Sequence, residues 1–98
     1  KDYKRYIKIE VIEKVNTIEI VIQDNAGGIP NNIIEKIFEP YFTTKHKSQG
    51  TGIGLYMTHI IVNEHLKGVI KVSNETFEIG DEKYKGACFS ISLPLSIV

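Results

Sequence analysis

Three glycines at alternate positions, Gly50, Gly52 and Gly54, follow the polar residues 45–49 and precede an apolar helical pattern. Glycine has no Cβ, so the backbone can bend sharply and present its N–H groups to a ligand at close range. At a helix start those N–H groups lack intrahelical partners and lie at the positive end of the macrodipole, which favours an anion. The chemistry on offer is phosphate binding by the backbone turn that contains Gly50, Thr51, Gly52, Ile53, Gly54 and Leu55. A turn that packs a helix closely on a strand would use the same glycines. Two familiar phosphate motifs do not fit. A P-loop would need Lys and Ser or Thr after its last glycine, where Leu55 stands, and a dinucleotide fingerprint opens directly out of a strand rather than after a loop.

The elements that must position this turn follow from periodicity. Ile7, Ile9 and Val11 alternate with Lys8 and Glu10, which predicts a half-buried strand. A turn at Asn16 leads to a second alternating run, Ile18, Ile20 and Ile22 against Glu19 and Gln23, and the two predict an antiparallel hairpin. That strand runs into Asp24-Asn25-Ala26-Gly27-Gly28-Ile29-Pro30, a sharp turn by composition. Asn31 or Asn32 is placed to cap a short helix over 32–38, with Ile33, Ile34, Ile37 and Phe38 on one face and Pro40 as its stop. A polar loop follows to Gln49. Ile53, Met57, Ile60 and Ile61 predict a long helix to about Leu66, with Gly68 as its stop signal. Residues 69–74 read as a strand, 76–86 as a charged connection with a turn at Gly80-Asp81, and 87–93 as a last alternating strand. Strands at both ends with helices between them imply a two-layer α/β (α+β) sandwich, a mixed, mostly antiparallel sheet with its helices on one face.

Composition bounds the functions. Ninety-eight residues, 42% hydrophobic and 24% charged, suit one small globular domain. Twelve basic and twelve acidic residues cancel, which argues against a nucleic-acid binder or a membrane-surface binder. No apolar run reaches the roughly 20 residues that span a bilayer. The single cysteine, Cys88, excludes an internal disulfide and lies in a strand pattern, as a buried inert thiol would. The chain opens on Lys1 close to a strand, and the expectation is a piece of something longer.

Three stretches in order carry a resemblance: Asp24-Asn25-Ala26-Gly27-Gly28, then Phe38-Glu39-Pro40-Tyr41-Phe42-Thr43-Thr44-Lys45, then Gly50-Thr51-Gly52-Ile53-Gly54-Leu55. Together they resemble the G1, F and G2 boxes of the sensor histidine kinase ATP-binding domain, within the GHKL family that includes gyrase B, Hsp90 and MutL. The ending Ser90-Ile91-Ser92-Leu93-Pro94-Leu95 is also similar to these kinases. The resemblance implies the C-terminal part of a Bergerat ATP-binding fold over residues 1–98, and bound ATP with Mg²⁺ in the intact domain. It implies that Asp24 accepts a hydrogen bond from the adenine amino group. An acceptor-only carboxylate suits that donor and rejects the guanine keto oxygen. Without the resemblance, Asp24 reads as an Asx-turn carboxylate. By the same resemblance Gly28 lets the backbone pass beneath the base and Ile29 packs on it. Phe38 and Phe42 anchor an ATP lid begun by Thr43, Thr44 and Lys45. Gly50, Gly52 and Gly54, with the N–H groups of Ile53 and Leu55, hold the phosphates.

The sequence also departs from that pattern. Ala26 stands where the first G1 glycine usually is, and a positive φ there would cost about 1 kcal/mol, unless Gly27 takes over the bend. Ala87-Cys88 follows Gly86 where Ser or Thr is frequent. The N box, whose asparagine helps bind Mg²⁺, has no match before Asp24, so no catalytic or metal-binding residue is assigned. His59 and Asn63 read as a helix surface pair, and His46 and His65 as solvated. The implied parent is a bacterial two-component kinase with a cytoplasmic catalytic domain and an inner-membrane anchor. Its partners are a phosphoacceptor-histidine dimerisation domain and a response regulator receiver domain. The chain itself is expected to be inactive and to self-associate: about 300 Å² of bared apolar sheet at roughly 25 cal/mol per Å² is comparable to a small domain's stability. The alternatives are a non-catalytic ATP-sensing module and an anti-sigma-type serine kinase of the same superfamily.

Overall fold

The computed structural model describes residues 4–43 and 52–95. Four strands form one sheet: β1 (Ile7–Glu13), β2 (Thr17–Asp24), β3 (Val69–Ile79) and β4 (Glu82–Pro94), in the order β1-β2-β4-β3. All three pairings are antiparallel, so no parallel pair occurs among the described residues. Among the described residues, a 3-10 turn at Ile34–Lys36, the helix α1 (Gly54–Ile60) and a π-helical turn at Ile61–His65 lie between β2 and β3.

Register puts the apolar alternation of all four strands on one face. Ile9 lies opposite Ile22, which lies opposite Phe89, which lies opposite Val72. One step along, Val11, Ile20, Ile91 and Ile70 form a parallel row. Antiparallel partners share a face, so these rows are the unit of sheet burial. The helical layer covers the β3–β4 half of that face. The π-helical turn packs on β3, and Phe38 sits between His59 and Phe89, with ring centroids 5.2 and 6.3 Å away. Among the described residues, the buried apolar ones are Ile37, Val62, Ile70 and Ala87.

β1 departs from expectation. Its alternation predicts one buried face, yet Ile7, Ile9 and Val11 are 72%, 63% and 63% exposed. β1 is an edge strand beyond the reach of α1, and nothing among the described residues covers its apolar side.

Three further elements differ from the sequence reading. The helix over 32–38 contracts to the 3-10 turn. Neither asparagine caps it: the Pro30 carbonyl accepts the Ile33 and Ile34 N–H groups, and Asn31 turns to Asn74. The long helix changes from α to π geometry at Ile61. It ends with Lys67 at φ +58, while Gly68 serves a close approach, since a Cβ there would collide with the Ser92 carbonyl oxygen. Residues 76–86 are not a connection. They continue β3 and β4 into a long hairpin that turns at Gly80-Asp81. Its outer rungs are held by rings, with Tyr84 5.9 Å from Phe77 and 5.2 Å from Tyr6.

Candidate nucleotide site

Asp24 ends β2 on the helix-bearing face. Its Oδ1 accepts two backbone N–H groups at 3.0 Å, from Ala26 and from Ala87 on β4. The first bond is the Asx turn expected of this residue type, and the second ties the turn to the neighbouring strand. Both bonds fall on Oδ1, so one carboxylate oxygen holds the turn, and no hydrogen bond to Oδ2 is made among the described residues. The Ala87 contact is made by backbone, so no Ser or Thr side chain is needed for it. Gly86 makes this arrangement possible: a Cβ there would overlap the Asp24 carbonyl oxygen and lie 2.5 Å from its Oδ1.

The bend itself is carried by Gly27 and Gly28, at φ +95 and +91, while Ala26 keeps an ordinary negative φ. Gly27 thus takes the strain that alanine cannot, and it donates to the Lys85 carbonyl at 3.0 Å. Asn25, only 2% exposed, bridges to the chain entering β1: its Nδ2 donates to Lys4 O at 2.7 Å and its Oδ1 accepts Tyr6 N–H at 2.9 Å.

Gly28, Ile29, Phe42, Thr43 and Leu55 line one open cavity of about 330 Å³, with Pro30, Ile33 and Ile37 as the rest of its wall. Its volume lies at the lower end of the roughly 300–1,000 Å³ range of ligand clefts. Asp24 lies outside that wall. It lines an adjoining hollow of about 310 Å³ with Tyr6, Ile7 and Asn25, on the side of the sheet left bare at β1. The 24–28 turn joins the two hollows.

Gly52 and Phe42 approach across the cavity's rim: Gly52 adopts φ +74, and a Cβ there would collide with the Phe42 carbonyl oxygen. Tyr41, just before, is held at φ +66, a left-handed conformation that costs a side chain about 1–2 kcal/mol. Ile53 precedes α1 with no side-chain cap, and the first intrahelical bond recorded there runs from Met57 N–H to Ile53 O. The first-turn N–H groups of α1, including that of Leu55, have no intrahelical acceptor. A Cβ at Gly54 would meet open space, so its value lies in access rather than packing. Thr44, Lys45, Gly50 and Thr51 lie outside the described residues, as does His46.

His59 and Asn63 are not a surface pair. They are half-buried, Asn63 Nδ2 lies 3.0 Å from His59 Nε2, and the His59 ring stacks on Phe38. His65 is exposed. Cys88 is half-buried, and burial, with Glu75 adding to it, pushes its thiol above the ordinary value. That suits an inert side chain.

Sequence reasoning missed Asn74 and Gly86. The signal for Asn74 was its type, since asparagine is depleted in strands. Gly86 stood at the end of a stretch that reads as a charged connection.

A family model described as histidine kinase-, DNA gyrase B- and HSP90-like ATPase matches residues 1–97, and the chain belongs to that family. Among curated relatives, the two-component sensor PprA of Pseudomonas aeruginosa is 38% identical over 81% of this chain and 8% of its own length. Sporulation kinase A of Bacillus subtilis is 35% identical over 90% of this chain and 13% of its own. The sensor histidine kinase ZraS of Escherichia coli is 33% identical over 93% of this chain and 17% of its own. The chain thus spans less than a fifth of these relatives. The solved catalytic domain of histidine kinase ThkA, in a nucleotide-free form, superposes with a TM-score of 0.72 at 28% identity, covering 92% of this chain and 53% of that one. This chain therefore corresponds to the histidine-kinase type of the family's ATP-binding domain.

Proposed function

We propose that this chain supplies the adenine-side wall and phosphate turn of the ATP site in a sensor histidine kinase. The observation that carries the reading is that three separated motifs meet. Gly28 and Ile29, Phe42 and Thr43, and Leu55 line one cavity, although they are far apart in sequence. Asp24 Oδ2 would accept the adenine amino group, Ile29 would pack on the base, and the N–H groups of Ile53 and Leu55 would receive phosphate oxygens. Thr43, Thr44 and Lys45 would open the lid, and Gly50, Thr51, Gly52 and Gly54 would shape the phosphate turn.

ATP, when bound, supplies the γ-phosphoryl group. In the parent it would pass to a histidine of a dimerisation domain and then to an aspartate of a response regulator receiver. Positioning and charge neutralisation dominate such transfers. The N-box asparagine that helps bind Mg²⁺ has no match before Asp24, and in this reading Mg²⁺ would be held by residues of the parent outside this chain. No described helix is long and apolar enough to cross a membrane. In this reading the parent carries an inner-membrane anchor and this domain lies on its cytoplasmic side. Calorimetry on the full-length protein with Asp24→Asn tests the site. ATP binding should be abolished, and an unchanged affinity would count against the assignment.

A second reading concerns the chain alone. The exposure of Ile7, Ile9 and Val11 favours a non-catalytic module that pairs with a second copy through the bare half of its sheet.

A further inference from the structure

Asn74 lies within β3 opposite Ala87, and the Ala87 N–H in turn binds Asp24, so Asp24, Ala87 and Asn74 form one row across the sheet. The Asn74 side chain turns toward the loop that leaves the Asp24 turn. Its Oδ1 accepts the Ile29 N–H at 2.7 Å, and its Nδ2 donates to the Ile29 carbonyl at 2.7 Å. Nδ2 also reaches Asn31 Oδ1 at 3.4 Å. One side-chain amide thus makes with Ile29 the two-bond exchange that a neighbouring strand residue would make. Gly28 is fitted to this contact. At φ +91, a Cβ there would stand 2.7 Å from Asn74 Oδ1 and 3.2 Å from its Cγ.

The rest of the turn has its own tethers. Gly27 is held by Lys85 and Ala26 by Asp24. Loss of the Asn74 amide would leave those bonds in place and release only the exit of the turn at Ile29. Gly28 and Ile29 form one wall of the cavity, and Phe42 and Leu55 belong to the same lining. We propose that Asn74 is a positioning residue for the nucleotide site: by holding both backbone groups of Ile29, it fixes where the base-contacting wall stands relative to Asp24. This rests on the reading that the cavity receives a nucleotide.

The test is ADP binding by the full-length protein, measured by calorimetry for wild type, Asn74→Ala and Asn74→Ser, with amide exchange at Ile29 as a second readout. Two lost hydrogen bonds of ordinary strength weaken ADP binding by about tenfold or more in Asn74→Ala. Ile29 exchange accelerates, while exchange in the β1–β2 ladder keeps its wild-type pattern. Asn74→Ser retains a short group that can accept or donate, and it recovers part of the loss in both readouts. An affinity within about twofold of wild type in Asn74→Ala, or unchanged Ile29 exchange, overturns the proposal while the nucleotide reading stands. A wild-type protein that does not bind ADP overturns both.

Discussion

Gly52 lies against the carbonyl of Phe42 at a distance that excludes a Cβ, so the turn proposed to hold phosphate and the proposed base of the lid share one backbone contact. The two residues flank the polar stretch 44–51 in the sequence. Gly52→Ala must adopt φ near +74 and also push back the Phe42 carbonyl. The first demand alone costs about 1–2 kcal/mol. The expected outcome is a thermal midpoint several degrees lower, with a larger loss of ATP affinity than that destabilisation accounts for. Differential scanning calorimetry paired with ligand titration checks both.

Gly86 and Asp24 make a second contact that excludes a side chain. A Cβ at Gly86 overlaps the Asp24 carbonyl and crowds the carboxylate oxygen that accepts Ala26 and Ala87 N–H. Forcing atoms into such a space costs about 1–3 kcal/mol. Gly86→Ala is expected to destabilise the domain by that order and to displace Asp24. Chemical denaturation measures the first effect, and accelerated amide exchange at Ala87 the second. A variant as stable as wild type, with Ala87 still protected, would mean that β4 shifts freely here.

What the sequence made legible, and what it did not, divides by the range of the interaction. The Asp24 turn was readable because its glycines answer a local demand: φ is positive at Gly27 and Gly28, and Ala26 is spared. The meeting of the three motifs on one cavity was readable because residue types and order announce it. Asn74 was not, because its partner Ile29 lies 45 residues away and nothing near Asn74 points to it. The long β3–β4 hairpin was hidden for a similar reason. Residues 76–86 are charged and loop-like in composition, while the contacts that hold them, Phe77 to Tyr84 and Tyr84 to Tyr6, cross strands. In β1 the alternation was read correctly and its burial was not, since alternation shows which face is apolar and cannot show what covers it.

The bare half of the sheet yields a prediction about association. Ile9 and Val11 are each 63% exposed, so polar replacements there change the stability of a monomer by no more than about 0.5 kcal/mol. If copies of the chain pair through this face, Ile9→Thr with Val11→Thr shifts sedimentation from dimer toward monomer, and the unfolding midpoint loses its dependence on protein concentration. A wild-type chain that sediments as a monomer at high concentration would sink the pairing. Threonine keeps the strand propensity of the positions, so a loss of β1 itself is not the expected cause of any change.

The polar side of the sheet gives a pH dependence with a defined sign. Ser90 donates to Glu19 at 2.6 Å and Lys14 pairs with its other oxygen at 3.0 Å. These contacts, the Ser90 hydrogen bond first, hold the Glu19 carboxyl below its usual range. A carboxylate whose folded pKa is lowered binds fewer protons folded than unfolded, so its contribution is complete above the unfolded value, about 4.3, and is lost as pH falls through the folded one. Urea unfolding from pH 7 down to about 3 should therefore show wild type losing stability faster than Glu19→Gln below about pH 4.5. Above that range the gap between the two should stay constant. Ser90→Ala removes the larger cause and should narrow the acid-side difference, while the exposed Lys14 pair alone sustains little of it. Parallel acid profiles for wild type and Glu19→Gln would show that the shift does not reach stability.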